Sequence, residues 1–128
     1  MKELTKAEEH VMQYLWSLKK GYLKDIVEQY PEPKPAYTTI STVVNVLVKK
    51  GFIDFDTHGK AREYRPMISK DKYTKQSFNG LLNNFFDNST KQFASFFTQK
   101  SKLTVDELKE IRALIDDQIT KQKKDGIE

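Results

Sequence analysis

The stretch from residue 31 to residue 68, PEPKPAYTTISTVVNVLVKKGFIDFDTHGKAREYRPMI, decides the fold that we predict for this chain. The three prolines of PEPKP lack a backbone donor and disfavour helix in the residues before them, so this part is an extended connector. A helix is predicted to begin near Thr38 or Thr39, either of which can cap it. Gly51 is its expected left-handed terminator.

The residues after this helix predict a β-hairpin. FIDFD alternates between apolar and polar residues, as a strand does, and AREYRPMI is the expected returning strand. THGK lies between the two and has the length and the glycine of a hairpin turn, with Lys60 and Arg62 beside its tip.

Two helices are predicted before the proline-rich connector. Thr5 and Glu8 have the spacing of a capping box, which starts the first helix, and Gly21 is expected to end it. A short second helix is expected over about residues 22–30. Three helices followed by a basic hairpin, in that order, predict a winged helix-turn-helix domain over residues 1–68.

The remaining residues, 69–128, predict a second, entirely helical region. Helices are expected over about residues 70–87 and 90–99 and from residue 104 to about residue 123. Ser69 can cap the first of them, and Thr104 with Glu107 forms a capping box for the last. The predicted fold class is therefore mainly α with a small β-hairpin.

This helical region is expected to form a homodimer. Six of the eight phenylalanines lie between residues 78 and 97. Helices this short and aromatic cannot bury all their faces within so small a region, so the exposed remainder predicts a second copy of the chain as partner. The expected dimer contacts are Phe85, Phe86, Phe96, Phe97, Leu108, Ile111, Ile115 and Ile119.

The predicted third helix is the candidate nucleic-acid-binding element, because its outer face carries short hydrogen-bonding side chains. The major groove of B-form DNA admits one α-helix, and hydroxyl and amide groups can bind base edges or phosphates there. Cations at the helix end and in the hairpin can neutralise phosphates. The predicted DNA contacts are Thr38, Thr39, Ser41, Thr42, Asn45, Lys49, Lys60 and Arg62.

Composition argues against several other classes of protein. The chain contains no cysteine, which rules out disulfides, thiolate metal sites and cysteine nucleophiles. Its two histidines, His10 and His58, have no metal-binding spacing, and no phosphate-binding glycine loop or nucleophile elbow is present. We therefore expect no catalytic site, no metal and no cofactor.

The expected location is the cytoplasm, without membrane insertion. The charged start, MKELTKAEEH, lacks the apolar run of a signal peptide. No stretch approaches the ~20 apolar residues that a membrane span requires.

The distribution of charge along the chain is consistent with functions other than DNA binding. The net charge is +4, and Lys and Arg outnumber Asp and Glu by 11 to 9 in residues 1–68 and again by 11 to 9 in residues 69–128, so neither half is a polybasic tail. A winged helix that binds another protein instead of DNA is consistent with this even split. A regulator whose phenylalanines line a cavity for a small molecule is a third interpretation.

Three runs, LTKAEEHVMQYLW, AYTTISTVVNVLVKKGFIDF and AREYRP, resemble the penicillinase-repressor family, also called the BlaI/MecI family. The resemblance extends over nearly the whole chain. It implies a sequence-specific transcriptional repressor whose winged helices bind the half-sites of a palindromic operator and whose C-terminal helices make the homodimer. In some members a membrane-bound sensor metalloprotease triggers cleavage at an Asn-Phe bond, and the corresponding place here holds Phe96 and Phe97, without that asparagine.

Overall fold

The computed structural model describes residues 3–126 and contains six helices and a three-stranded sheet in that range. The elements are α1 (Lys6–Leu18), β1 (Gly21–Tyr22), α2 (Leu23–Glu28), α3 (Tyr37–Lys50), β2 (Ile53–His58), β3 (Ala61–Pro66), α4 (Lys70–Phe86), α5 (Thr90–Lys100) and α6 (Val105–Lys124). The sheet is antiparallel with strand order β1-β3-β2. The predicted class, mainly helical with a β-hairpin, is confirmed.

The chain divides into two compact units between Phe78 and Asn79, inside α4. The division of function at residues 68 and 69 stays a prediction. No helix within residues 3–126 is both long and apolar enough to cross a membrane.

The predicted helix starts rest on side chains that satisfy free backbone donors. In the first capping box the Thr5 hydroxyl accepts from the Glu8 N–H at 3.2 Å, and the Glu8 carboxylate accepts from the Thr5 N–H at 2.8 Å. Thr104 and Glu107 form the same box at the start of α6. The Ser69 hydroxyl accepts from the N–H three residues later at 3.1 Å. These three predictions are confirmed, because a cap depends only on local sequence.

The predicted end of the first helix is wrong. α1 ends at Leu18, and Lys19 adopts the positive φ of 71° that was expected of Gly21. Gly21 instead opens β1 and pairs with Tyr64. It is buried, and a β-carbon there would lie 3.3 Å from the Cβ of Asp25, so the glycine allows close packing.

The second helix is shorter than predicted. Its first expected residue lies in a strand, and a lysine side chain binds the carbonyl groups at its C-terminal end. Tyr22 belongs to β1, so α2 begins one residue later. At the other end, the Lys34 ammonium donates to the carbonyl oxygens of Glu28 and Tyr30 at 2.9 and 2.7 Å, which satisfies groups that a further turn would have used. The connector after it contains no helix or strand, as predicted.

The predicted cap of the third helix is also wrong. α3 begins at Tyr37, and the N-cap is Ala36, which has no side chain to donate or accept. The extended Ala36 follows the proline connector, and its carbonyl accepts from the N–H groups of Thr39 and Ile40 at 3.1 and 3.2 Å, so no hydroxyl is needed. Gly51 ends the helix with φ 86°, as predicted.

The first unit encloses a continuous apolar core. Its buried side chains are Leu4, Val11, Met12, Leu15, Ile26, Val27, Ile40, Val44, Leu47, Phe52, Ile53, Tyr64 and Ile68. Trp16 packs against this core, and its indole Nε1 donates to the carbonyl of Ile68 at 2.8 Å, which links α1 to the segment after β3. This core holds one face of α3 and leaves the opposite face in solvent.

The second unit leaves most of its apolar side chains at least partly exposed. Leu82 of α4 is buried, but neither α5 nor α6 contains a buried residue. Phe86 lies 5.7 Å from Phe93 and 5.5 Å from Phe96 between ring centroids, so α4 and α5 meet through phenylalanines.

Candidate DNA-binding surface

The outer face of α3 carries the polar side chains that the sequence predicted there. The side chains of Thr38, Thr39, Thr42, Asn45 and Lys49 are exposed, and Ser41 is half-buried. Ile40, Val44 and Leu47 lie on the opposite, buried face. The core therefore fixes which side of α3 is available to a partner.

An open groove of about 690 Å³ separates α3 from the hairpin. Four of the predicted contacts line it, two from the helix and two from the hairpin: Ser41, Asn45, Lys60 and Arg62. Hydrogen-bonding groups on the helix and cations on the hairpin thus share one concave surface. Thr38, Thr39, Thr42 and Lys49 lie outside this groove on the exposed part of α3.

The two arginines of the hairpin have different surroundings. Arg62 packs against an aromatic ring, and Arg65 binds two carboxylates. The guanidinium of Arg62 lies 4.3 Å from the ring centroid of Phe55, at a distance typical of a cation–π contact. Arg65 instead binds the carboxylates of Asp54 and Asp56 at 3.3 and 2.7 Å.

Three cations of the candidate surface keep their charge available. Among residues 3–126, none of Lys49, Lys60 and Arg62 forms an ion pair. These side chains, together with Lys24 at the edge of the groove, therefore give this surface its positive charge, whereas Arg65 is neutralised by its carboxylates.

The hydroxyl of Thr42 is committed to its own helix. Its Oγ1 donates to the carbonyl oxygen of Thr38 at 2.9 Å. The exposed Thr42 therefore offers a partner its oxygen lone pairs and its methyl group rather than a free hydroxyl proton.

A buried ion pair anchors the last turn of α3 to α1. The Lys50 ammonium lies 2.9 and 2.8 Å from the two carboxylate oxygens of Glu8, which is 4% exposed. Burial raises the pKa of Glu8, but the hydrogen bonds from Lys50 and from the Thr5 backbone outweigh that effect, so its pKa lies below the ordinary value. This pair joins the capping box of α1 to the C-terminal end of the candidate recognition helix.

Sequence reasoning missed two side chains of this region. Lys24 lines the groove, although its position in the sequence predicted only that it lies on the second helix. Val46 is 38% exposed on α3 and was given no role. The helical period could have predicted that Val46 is exposed, because it lies outside the apolar stripe of Ile40, Val44 and Leu47.

The predicted dimer residues divide into two groups in the single chain. Phe86, Phe97, Leu108 and Ile111 are half-buried. Phe85, Phe96, Ile115 and Ile119 are exposed by 74%, 54%, 55% and 46%. Leu114, also on α6, is 68% exposed and was not predicted.

A three-helix core with a small sheet, an exposed polar helix and, beside it, a β-hairpin with two cations that are unpaired within residues 3–126 define a winged-helix DNA-binding transcription regulator. The sequence profile of the family described as "Penicillinase repressor" matches residues 4–117. The chain belongs to this penicillinase repressor family, as the resemblance implied.

Individual relatives agree over most of the chain. The methicillin resistance regulatory protein MecI of Staphylococcus aureus (strain N315) is 26% identical over 114 residues, which are 88% of this chain and 93% of MecI. The penicillinase repressor of Bacillus licheniformis is 20% identical over 122 residues, covering 94% and 95% of the two chains. The complex structure of hsRosR-S4 matches with a TM-score of 0.55 at 13% identity, over 93% of this chain and 92% of that one, and so shows the fold.

The function follows from the family. The chain is a DNA-binding transcriptional repressor and not an enzyme. The predicted function class is thereby confirmed, while the residues that carry it stay a prediction.

Proposed function

We propose that the chain represses transcription by binding a palindromic operator as a homodimer, with α3 in the major groove and the β2–β3 hairpin against the phosphate backbone. The observation that carries this proposal is the groove shared by Ser41 and Asn45 of α3 with Lys60 and Arg62 of the hairpin. Groups suited to bases and groups suited to phosphates therefore face the same ligand.

The roles within this surface follow from chemistry. Asn45 can pair with adenine through two hydrogen bonds, and the Thr38, Thr39, Ser41 and Thr42 side chains serve base edges or nearby phosphates. Lys49, Lys60 and Arg62 bind phosphates and set the orientation of the protein.

The homodimer is proposed to form through residues 69–128. The exposed apolar side chains of α4, α5 and α6 support it, because such faces favour burial against a second copy. A two-fold dimer would present two copies of α3 to half-sites about 34 Å apart, one turn of the DNA.

Fluorescence anisotropy with a labelled duplex from the gene's own promoter tests the proposal. Binding is expected to be submicromolar and to require both half-sites. Lys60→Ala and Arg62→Ala should each reduce the log-log salt slope by about one unit or less. Lys109→Ala, an exposed change on α6, is the control that should leave the slope unchanged.

Base readout has its own test. Asn45→Ala should cost about 1 to 3 kcal/mol on the preferred operator and much less on duplexes with that base pair changed. Equal weakening on every sequence would contradict the base-reading role. Absence of binding even at low salt would contradict the whole proposal and favour a protein-binding module.

Family membership also suggests a cytoplasmic setting in which a membrane-bound sensor metalloprotease relieves repression. Phe96 and Phe97 mark the corresponding cleavage place, and Phe96 is 54% exposed on α5. Mass spectrometry of the chain from induced cells should find a fragment ending at Phe96. An intact chain during full induction would contradict this route.

A further inference from the structure

Val46 is an apolar side chain on a face that is otherwise polar. It is 38% exposed on α3, one residue after Asn45. Because successive helical residues turn by about 100°, Thr42, Val46 and Lys49 lie within about 60° of one another around the helix. Val46 therefore belongs to the surface that would enter the major groove.

Thr42 extends this apolar patch by one turn. Its hydroxyl proton is used within the helix, where Oγ1 donates to the carbonyl of Thr38 at 2.9 Å. Thr42 therefore presents its methyl group and the lone pairs of its oxygen to a DNA partner. Thr42 and Val46, at i and i+4, are neighbours on the helix surface.

At Thr42 and Val46 themselves α3 carries no Arg or Lys, and the unpaired cation nearby, Lys49, is assigned to a phosphate in the proposed function. The bidentate contact to guanine requires Arg or Lys. On α3 the cations are Lys49 and Lys50 in the last turn, and Lys50 is bound to Glu8 at 2.8 Å. A valine placed against the amino group of cytosine would also leave that donor without a partner.

We propose that Val46, together with the Thr42 methyl, contacts the C5-methyl group of a thymine, so that each half-site carries an A·T pair opposite this part of α3. The inference rests on the proposed function and specifies what its helix reads. Thymine is the base that presents a methyl group in the major groove. The methyl groups of Thr42 and Val46 can therefore distinguish thymine from the other three bases.

The experiment first selects binding duplexes from a random pool with the full chain. In the enriched sequence, each thymine is then replaced in turn by deoxyuridine in both half-sites, which removes only the methyl group. One thymine per half-site should be sensitive, with affinity about fourfold weaker for each methyl lost and about 15-fold weaker for both.

The Val46→Ala variant identifies the side chain responsible. On the thymine operator it should bind about 15-fold or more weakly, because both copies in the dimer lose the contact, and its own sensitivity to deoxyuridine should fall below twofold, because the two changes remove the same contact. Val105→Ala is the matched control: this valine is 67% exposed on α6, and its variant should retain the full deoxyuridine effect.

The outcomes separate this inference from the proposed function. If a palindrome is enriched but no thymine is sensitive, or if Val46→Ala keeps the full deoxyuridine effect, the inference is wrong and the proposed function stands. If no sequence is enriched, sequence-specific binding fails, and the inference fails with it.

Discussion

The two compact units of this chain have similar proportions of apolar residues but bury them to different extents. In the first unit, Phe52 is 1% exposed and Leu47 is fully buried among α1, α2, α3 and the sheet. In the second, Phe85 is 74% exposed and Ile115 is 55% exposed, and Leu82 is a lone buried residue among the described ones. Only the first unit has a closed core.

This difference indicates where each unit obtains its stability. Burial of apolar surface is the main favourable term in folding, so the first unit can be stable by itself. The second unit exposes its apolar side chains to water in a single chain, and we propose that a second copy of the chain buries them.

The largest expected effect comes from emptying the closed core. Phe52→Ala should lower the free energy of unfolding by about 3 to 5 kcal/mol, because it removes a fully buried ring and leaves a cavity. Phe85→Ala removes the same atoms from an exposed site and should cost less than about 0.5 kcal/mol in the monomer. Urea unfolding followed by circular dichroism at low protein concentration measures both, and equal losses would contradict the contrast.

The next effect compares two capping boxes that differ in burial. Glu8→Gln should destabilise the chain by about 2 to 3 kcal/mol, because it leaves the partly buried Lys50 without its counter-charge. Glu107→Gln changes the same motif at the start of α6, where the carboxylate is exposed, and its effect should be much smaller. Denaturant unfolding at pH 7 tests the pair of variants, and a larger loss for Glu107→Gln would reverse the interpretation.

The dependence on pH follows from the lowered pKa of Glu8. A carboxyl whose folded-state pKa is depressed stabilises the fold above its unfolded pKa of about 4.3 and loses that contribution as the pH falls through the folded pKa. The stability difference between wild type and Glu8→Gln should therefore be full at pH 7 and should vanish in acid. A difference that is unchanged at low pH would show that the charge of Glu8 is not its source.

The fold features that the sequence predicted are those that local residues determine. The boxes of Thr5 with Glu8 and of Thr104 with Glu107 form within one helical turn, so their spacing is sufficient evidence. β1 could not be predicted, because a two-residue strand has no period and Gly21 pairs with a residue 43 positions later, Tyr64.

The sequence predicted most of the residues that form the candidate surface. It did not predict the contacts that those residues make. The period of α3 identifies its polar side chains. The contact of Phe55 with Arg62 depends on the hairpin register, in which Phe55 opposes Tyr64 and Thr57 opposes Arg62, so that ring and guanidinium are diagonal neighbours. That register, like the internal hydrogen bond of Thr42, exists only once the chain is folded.

A smaller effect is expected at the open apolar face of the second unit. If dimerisation buries the exposed part of Ile115, Ile115→Ala should cost about 1 kcal/mol per copy, or about 2 kcal/mol per dimer, since a two-fold interface counts each change twice. The dimer dissociation constant should rise about thirtyfold, measured by sedimentation equilibrium. Asp117→Ala, an exposed change on the opposite face of the same helix, should leave it within about twofold, and an unchanged constant for Ile115→Ala would exclude this residue from the interface.

The smallest expected effect concerns a phenylalanine of the first unit that contacts a charge as well as the core. Phe55→Leu keeps the site apolar but removes the aromatic face beneath Arg62, a contact typically worth about 0.5 to 1 kcal/mol at exposed sites. Operator affinity should therefore fall about two- to fivefold for each half-site, while the salt slope stays the same because the charge of Arg62 remains. Phe55→Tyr should restore affinity, and Arg62→Ala should make Phe55→Leu neutral, because the ring acts on DNA only through that guanidinium.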